Sequence, residues 1–163
     1  MPTITVIIPT YNRSWEVSRA IASVLIQTFS DFVLVIVDDA STDGTTEVVR
    51  SFADPRVRYY RQADNVGVSR NWGTGVEVAN GEFVALLMDD DRYEPKFLAR
   101  RVAALRAHPG SSFAFSGYRV VDEAGVIVKN HLPKWQPGPI SGMELVAAAL
   151  ARDCFIGATL YLR

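Results

Sequence analysis

The sequence predicts an α/β fold, a mainly parallel sheet flanked by helices. Three observations carry that reading. Residues 4–8, 32–37 and 83–88 are short, almost uninterrupted apolar runs. Runs without polar alternation suit strands buried on both faces, as in parallel sheets covered by helices. Stretches with helical spacing separate them, so strand and helix alternate over roughly the first 110 residues, the pattern of successive βαβ units. Two of the runs also stop on carboxylates, Asp38–Asp39 and Asp89–Asp90–Asp91. Three adjacent carboxylates at a strand end repel one another unless a cation or a donor-rich ligand sits beside them.

Each element follows from local signals. Residues 4–8 form the first strand, and Pro9, Thr10, Tyr11, Asn12 and Arg13 the loop that ends it. Ser14 is placed to cap a helix reaching residue 28, with Val17, Ile21, Val24 and Leu25 on one face. Asp31 turns the chain into the strand at 32–37. The loop at 40–44, rich in Ser, Thr, Asp and Gly, leads into a helix over 45–52. Asp54–Pro55 turns the chain into a short strand at 57–60. A loop at 65–69 enters a helix over 70–79, which Asn80–Gly81 stops. After the strand at 83–88, Pro95 suits the first turn of a helix reaching residue 107, and Pro109–Gly110 breaks it. Residues 113–121 read as one strand that pairs with 126–129 across a turn at 122–125, a hairpin. A loop at 130–139 carries three prolines and Trp135. Ser141 and Glu144 have capping-box spacing and open a helix to residue 152. Residues 158–162 read as a last strand.

Composition narrows the function classes. A chain of 163 residues with 48% hydrophobic and 21% charged residues suits one folded domain over 1–163. Nothing in the net charge of −1 calls for nucleic acid or an anionic membrane as partner. No apolar run approaches the length of a membrane span. The one cysteine, Cys154, reads as a buried small hydrophobe and suits a reducing compartment, so a cytoplasmic location is expected. The N-terminus has no basic segment or cleavage site typical of a signal peptide. The chain stops at Arg163 directly after an apolar segment, which predicts a domain cut short at its C-terminus.

In open α/β sheets ligands bind beyond the carboxyl ends of the strands. The loops at 9–13, 38–44 and 89–92 are expected there. They offer the ring of Tyr11 and two groups of carboxylates. A carboxylate accepts from a ring N–H of a base, and an aromatic ring stacks on one. Adjacent carboxylates hold a hard divalent ion such as Mg²⁺ or Mn²⁺, which neutralises a diphosphate and improves it as a leaving group. Arg70, near the head of its helix, either reaches the same phosphates or makes a surface ion pair. Trp135 is either a lid residue or a hydrophobic anchor for its long loop, and Trp72 is either an aromatic platform for a ligand or a hydrophobic anchor. The sequence holds no G-x-G-x-x-G after the first strand, no P-loop and no G-x-S-x-G. His108 and His131 are too far apart in sequence to suggest a zinc site or a triad. A nucleotidyltransferase would need a glycine-rich triphosphate loop after the first strand, and residues 9–13 contain no glycine.

Several blocks together resemble family 2 glycosyltransferases with the GT-A, Rossmann-like fold. They are Val6–Ile7–Ile8–Pro9–Thr10–Tyr11–Asn12, Ser23–Val24–Leu25–Ile26–Gln27–Thr28–Phe29 and Val37–Asp38–Asp39–Ala40–Ser41–Thr42–Asp43–Gly44–Thr45. Asn65–Val66–Gly67–Val68–Ser69–Arg70–Asn71, Ala79–Asn80–Gly81–Glu82–Phe83 and Asp89–Asp90–Asp91–Arg92–Tyr93–Glu94–Pro95 continue the likeness in family order, over about residues 3–122. The resemblance implies inverting transfer of a sugar from a nucleotide-diphosphate donor to a carbohydrate or lipid-linked acceptor. It implies that Pro9, Tyr11 and Asp39 hold the base, commonly uracil, with Asp38 close by, and that Arg70 approaches the diphosphate. It further implies that the Asp cluster is the family's D-x-D-type motif, with Asp89 towards the ribose and Asp90 and Asp91 at the metal. Many members carry Asp where this chain has Met88, which leaves these assignments open by one position. The family's catalytic base is expected beyond Arg163, so the full-length protein would be the enzyme. The alternative is a donor-binding stretch that transfers nothing. Any membrane association is then expected of the full-length protein.

Overall fold

A computed structural model describes residues 1–133, 135–150 and 159–162. Cys154, the end of the last predicted helix at Arg152, and Arg163 lie outside the described residues. The main sheet has six strands in the order β3-β2-β1-β4-β8-β5. β1 (Ile4–Thr10) is central and pairs in parallel with β2 (Phe32–Asp38) and β4 (Phe83–Leu86), and β2 pairs in parallel with β3 (Val57–Arg61). β8 (Thr159–Leu162) runs antiparallel between β4 and β5 (Phe113–Phe115). The parallel part of the sheet is therefore the one that carries the acidic strand ends.

Every residue of β1 is buried, which requires apolar cover on both faces. Ile4, Val6 and Ile8 join one core with Leu34, Ile36 and the buried side of α1 (Ser14–Leu25), and Leu98, Val102 and Leu105 of α4 (Phe97–Ala107) add to it. On α1 the buried positions Val17, Ala20, Ile21 and Val24 follow the i, i+3, i+4, i+7 spacing of a helix stripe. Ile7 points the other way, into a smaller core with Val35, Val37, Ala79 and Val84 beneath α3 (Val68–Val78). The polar Thr5 is tolerated there because its hydroxyl accepts the N–H groups of Asn80 and Gly81, at 3.2 and 3.0 Å.

Close approach to β1 requires glycine at two positions. A Cβ on Gly75 of α3 would lie 2.4 Å from Ile7 Cγ2, so this glycine sets how near the helix sits to the sheet. A Cβ on Gly81 would lie 2.6 Å from the backbone nitrogen of Thr5. Gly81 was expected as a helix terminator, but α3 ends at Val78 with Ala79 already extended, and the packing of the following turn is what excludes a side chain.

Several local expectations are corrected. Ser14 is the first helical residue of α1 and not its cap. Its N–H donates instead to Asp43 Oδ2 at 3.1 Å, and Asp43 Oδ1 accepts the Thr45 N–H at 3.0 Å. One carboxylate thus serves the starts of both α1 and α2 (Thr45–Ser51). Burial disfavours its charge, but these donors outweigh that cost and hold the Asp43 carboxyl below its usual range. Pro95 precedes α4, and its carbonyl accepts the Thr28 N–H at 2.9 Å. The stretch at 113–121 is not one strand. It breaks at 116–117 into β5 and β6 (Tyr118–Val121), and β6 forms a separate hairpin with β7 (Ile127–His131). Gly117 lies at the break, where an added Cβ would be 2.3 Å from the His131 carbonyl oxygen. The predicted capping box forms by half. Ser141 Oγ accepts the Glu144 N–H at 3.1 Å, while the Glu144 carboxylate takes the Trp135 indole N–H at 2.7 Å. That bond ties the long loop to α5 (Gly142–Leu150).

The β2–β3 edge is pinned by a part-buried polar contact. The Tyr59 hydroxyl donates to Asp38 Oδ2 and receives a bond from Thr46 Oγ1 at 2.8 Å. Burial first, and the bond to Asp38 second, push the Tyr59 phenol up to about 12.

Two outcomes follow from this packing. Gly75→Ala should destabilise the protein by about 1–3 kcal/mol in chemical denaturation, because Ile7 is buried and cannot yield without strain. The Tyr59 phenol is raised in the folded state, so its stabilising share is whole below the unfolded pKa of about 10 and is lost as pH rises through about 12. A phenolate absorbance titration of the wild type should contain a component near pH 12 that Tyr59→Phe removes.

Candidate functional site

Because β2, β1 and β4 are parallel, their carboxyl ends lie along one edge of the sheet. Thr10, the last residue of β1, stands opposite Asp38 of β2. Its carbonyl accepts the Asp39 N–H at 2.9 Å, and its buried hydroxyl donates to Asp89 Oδ2 at 2.9 Å. One residue therefore touches both acidic groups, and the two lie on either side of the end of β1. The Leu87 N–H bond to the Ile7 carbonyl, at 3.0 Å, carries the pairing past the end of β4 towards Asp89.

The first acidic pair is deeply engaged. Asp38 is fully buried, with Ser41 N–H donating to Oδ1 at 2.9 Å and the Tyr59 hydroxyl and Arg61 guanidinium on the Oδ2 side. It supports the loop that follows. Ala40 in that loop has φ 63°, and Asn12 in the neighbouring loop has φ 50°. A left-handed alanine costs about 1–2 kcal/mol, and the surrounding bonds hold it there. Asn12 N–H donates to Ser41 Oγ at 2.9 Å, and Asn12 Oδ1 accepts the Thr42 N–H at 2.7 Å. Asp39 accepts two backbone donors, Val66 N–H at 2.7 Å and Gly67 N–H at 2.9 Å. It thereby fixes the loop that starts α3 beside the end of β1. Gly67 there has φ 83°, a conformation natural to glycine.

The second group is graded in exposure. Asp89 is buried, whereas Asp90 and Asp91 are exposed. Burial raises the Asp89 carboxyl, and the donors Thr10 and Arg13 work against that shift. Local desolvation and the charges of Asp90 and Asp89 also raise Asp91, whose carboxylate has no hydrogen-bond or ion-pair partner among the described residues. Arg13 NH1 lies 3.2 Å from Asp89 Oδ1 and 2.8 Å from Asp90 Oδ2. The bond to Asp90, then the charge of Asp89, raise the Arg13 guanidinium above its usual value.

A divalent ion fits this donor set in kind. The cluster offers hard carboxylate oxygens on adjacent residues and a surplus of negative charge. Among the described residues no three acidic, histidine or cysteine side chains form a ready cage for a metal.

The other predicted residues are placed as follows. Pro9 is buried in β1, and Tyr11 is 45% exposed in the loop directly after Thr10. Arg70 lies in the first turn of α3, exposed, and makes no ion pair among the described residues. Trp135 meets Phe115 edge-on at 5.9 Å and bonds Glu144, as expected of a loop anchor. Sequence reasoning missed Thr10 and Arg13 as parts of the site. Thr10 follows the apolar run and carries a loop signal in sequence, and its position between two acidic strand ends is visible only once β1 is seen to be central. Arg13 had a signal, a cation within a loop expected at the acidic edge.

Comparisons with known proteins agree with this geometry. The family model described as "Glycosyl transferase family 2" matches residues 5–163. A Campylobacter jejuni GalNAc(5)-diNAcBac-PP-undecaprenol beta-1,3-glucosyltransferase is 39% identical over 162 residues, covering 95% of this chain and 51% of that protein. The Escherichia coli UDP-Glc:alpha-D-GlcNAc-diphosphoundecaprenol beta-1,3-glucosyltransferase WfgD is 28% identical over 154 residues, covering 94% of this chain and 57% of that protein. The chain thus spans about half the length of these two curated relatives. Among solved structures, S. aureus TarS 1-349 in complex with UDP-GlcNAc superposes with TM-score 0.66 at 27% identity, over 69% of this chain and 33% of that one. The mannosyltransferase PcManGT from Pyrobaculum calidifontis, in complex with GDP-Man and Mn²⁺, gives 0.65 at 28% identity, over 74% of this chain and 36% of that one. Together with a parallel sheet whose acidic ends share one edge, these matches identify the fold as GT-A and show that the chain belongs to glycosyl transferase family 2.

Proposed function

We propose that residues 1–163 form a GT-A domain that binds a nucleotide-diphosphate sugar, a UDP-sugar by preference, for transfer with inversion to a carbohydrate or lipid-linked acceptor. The observation that carries the reading is the double engagement of Thr10, which couples the Asp39 loop and the Asp89–Asp91 cluster across one strand end. In this reading the base lies against Tyr11 and Pro9, with Asp39 at its edge and Asp38 holding the loop behind it. Asp89 faces the ribose, Asp90 and Asp91 hold Mg²⁺ or Mn²⁺, and Arg70 faces the diphosphate from the start of α3. The bound ion neutralises diphosphate charge and so improves the leaving group. The undecaprenol-linked substrates named for the two relatives support a lipid-linked acceptor, and hence a site of action at a membrane surface. No helix among the described residues is long and apolar enough to cross a membrane.

A second reading is supported by the chain's span of about half its relatives. Here the stretch binds donor, and the base that deprotonates the acceptor is contributed by further sequence. Transfer and donor-hydrolysis assays beside a longer form of the protein separate the two.

Calorimetry tests the donor site. UDP should bind in the presence of Mn²⁺ and more weakly in its absence, and GDP should bind more weakly than UDP. An absence of heat with UDP and Mn²⁺ together would count against the whole reading. Asp90→Asn should abolish the metal-dependent gain while leaving metal-free UDP binding in place. Thr10→Val keeps the backbone bond to Asp39 but strands a buried Asp89 oxygen. It should cost about 1–3 kcal/mol of stability and weaken UDP–Mn²⁺ binding about tenfold, or about 1.4 kcal/mol, as read by denaturation and calorimetry respectively.

A further inference from the structure

We propose that Arg13 occupies the cation position of the acidic cluster in the nucleotide-free protein, and that it couples metal binding to diphosphate binding. The inference rests on the donor-site reading above and assigns Arg13 as a positioning residue within it.

The geometry of the contact points to this role. Arginine usually grips a carboxylate as a fork, with two nitrogens on one group. Arg56 does so here, placing Nε and NH2 on Asp54 at 3.0 and 2.7 Å. Arg13 does something different. A single nitrogen, NH1, bridges two carboxylates from adjacent residues, Asp89 Oδ1 at 3.2 Å and Asp90 Oδ2 at 2.8 Å. The guanidinium so placed brings positive charge to the edge of the acidic cluster, on the Asp90 carboxylate that the donor-site reading gives to the metal. Among the described residues no other cation makes an ion pair with Asp89 or Asp90.

The surroundings allow exchange. The Arg13 side chain is 46% exposed, so it can leave without opening the core. Asp89 keeps its position when Arg13 departs, because its other oxygen remains bonded to the buried Thr10 hydroxyl. A divalent ion taken up by Asp90 would meet a guanidinium already in contact with that carboxylate and would have to displace it. A diphosphate supplies acceptors for the displaced guanidinium. Metal alone therefore binds against Arg13, whereas metal with nucleotide does not. By linkage each strengthens the other.

The test measures Mn²⁺ binding by electron paramagnetic resonance of the free ion, with and without UDP, in the wild type, Arg13→Gln and Arg13→Lys. Circular dichroism confirms that the variants are folded. Without UDP, Arg13→Gln should bind Mn²⁺ about tenfold more tightly than wild type, since a unit charge a few ångströms from the ion is gone. The strengthening of Mn²⁺ binding by UDP should shrink in Arg13→Gln. Arg13→Lys keeps the charge and should resemble wild type. Equal or weaker Mn²⁺ binding by Arg13→Gln without UDP would overturn the inference and leave the donor site standing, provided UDP still promotes Mn²⁺ binding in the wild type. Failure of every protein to bind Mn²⁺, with or without UDP, would overturn both the inference and the site reading.

Discussion

The arrangement depends on the end of β1. Thr10 has two hydrogen-bonding groups beyond its own N–H, and each is committed to a different neighbour. Its carbonyl takes the Asp39 amide, and its hydroxyl goes to the Asp89 carboxylate. A buried carboxylate oxygen without a donor is costly, so Asp89 is held where Thr10 places it. The central strand thus does more than fill the core. It sets the spacing between two acidic loops that are some fifty residues apart in sequence and separated by four intervening helix and strand elements, α2, β3, α3 and β4.

Charge is distributed across this edge by function of depth. Asp38 and Asp39 are buried and surrounded by donors, mostly backbone N–H groups, so they order loops. Asp89 is buried but shared between Thr10 and Arg13. Asp90 and Asp91 are exposed, and Asp91 carries charge that no described side chain offsets. The gradient runs from structural carboxylates to carboxylates open to a cation. Ala40 and Asn12, both at positive φ, mark the loops as shaped by this edge and not by local preference alone.

Much of the fold was legible in the residues. Uninterrupted apolar runs located β1, β2 and β4, and helical spacing located α1, because burial on two faces and on one stripe leave different periods. The acidic strand ends were legible for the same reason, since a polar residue directly after such a run must lie at a sheet edge. What failed was information held in space. Ser14 looked like a cap, but the cap arrives from Asp43, twenty-nine residues away. The stretch around Gly117 had strand propensity throughout, and the break became visible only as a close approach to His131. Thr10 could not be assigned to the site until the topology put β1 between β2 and β4, whereas Arg13 was already a cation in a loop expected at the acidic edge. Family likeness supplied the donor chemistry, and the structure added which side chains brace the acidic groups.

The most direct measurement is a crystal structure of the protein grown with UDP and Mn²⁺, with an anomalous difference map to locate the metal. The account predicts a manganese peak at Asp90 with the diphosphate beside it, uracil against Tyr11, and the Thr10–Asp89 bond intact. A nucleotide bound away from the edge shared by Asp39 and Asp89, or a metal peak that does not touch the Asp89–Asp91 cluster, would contradict it.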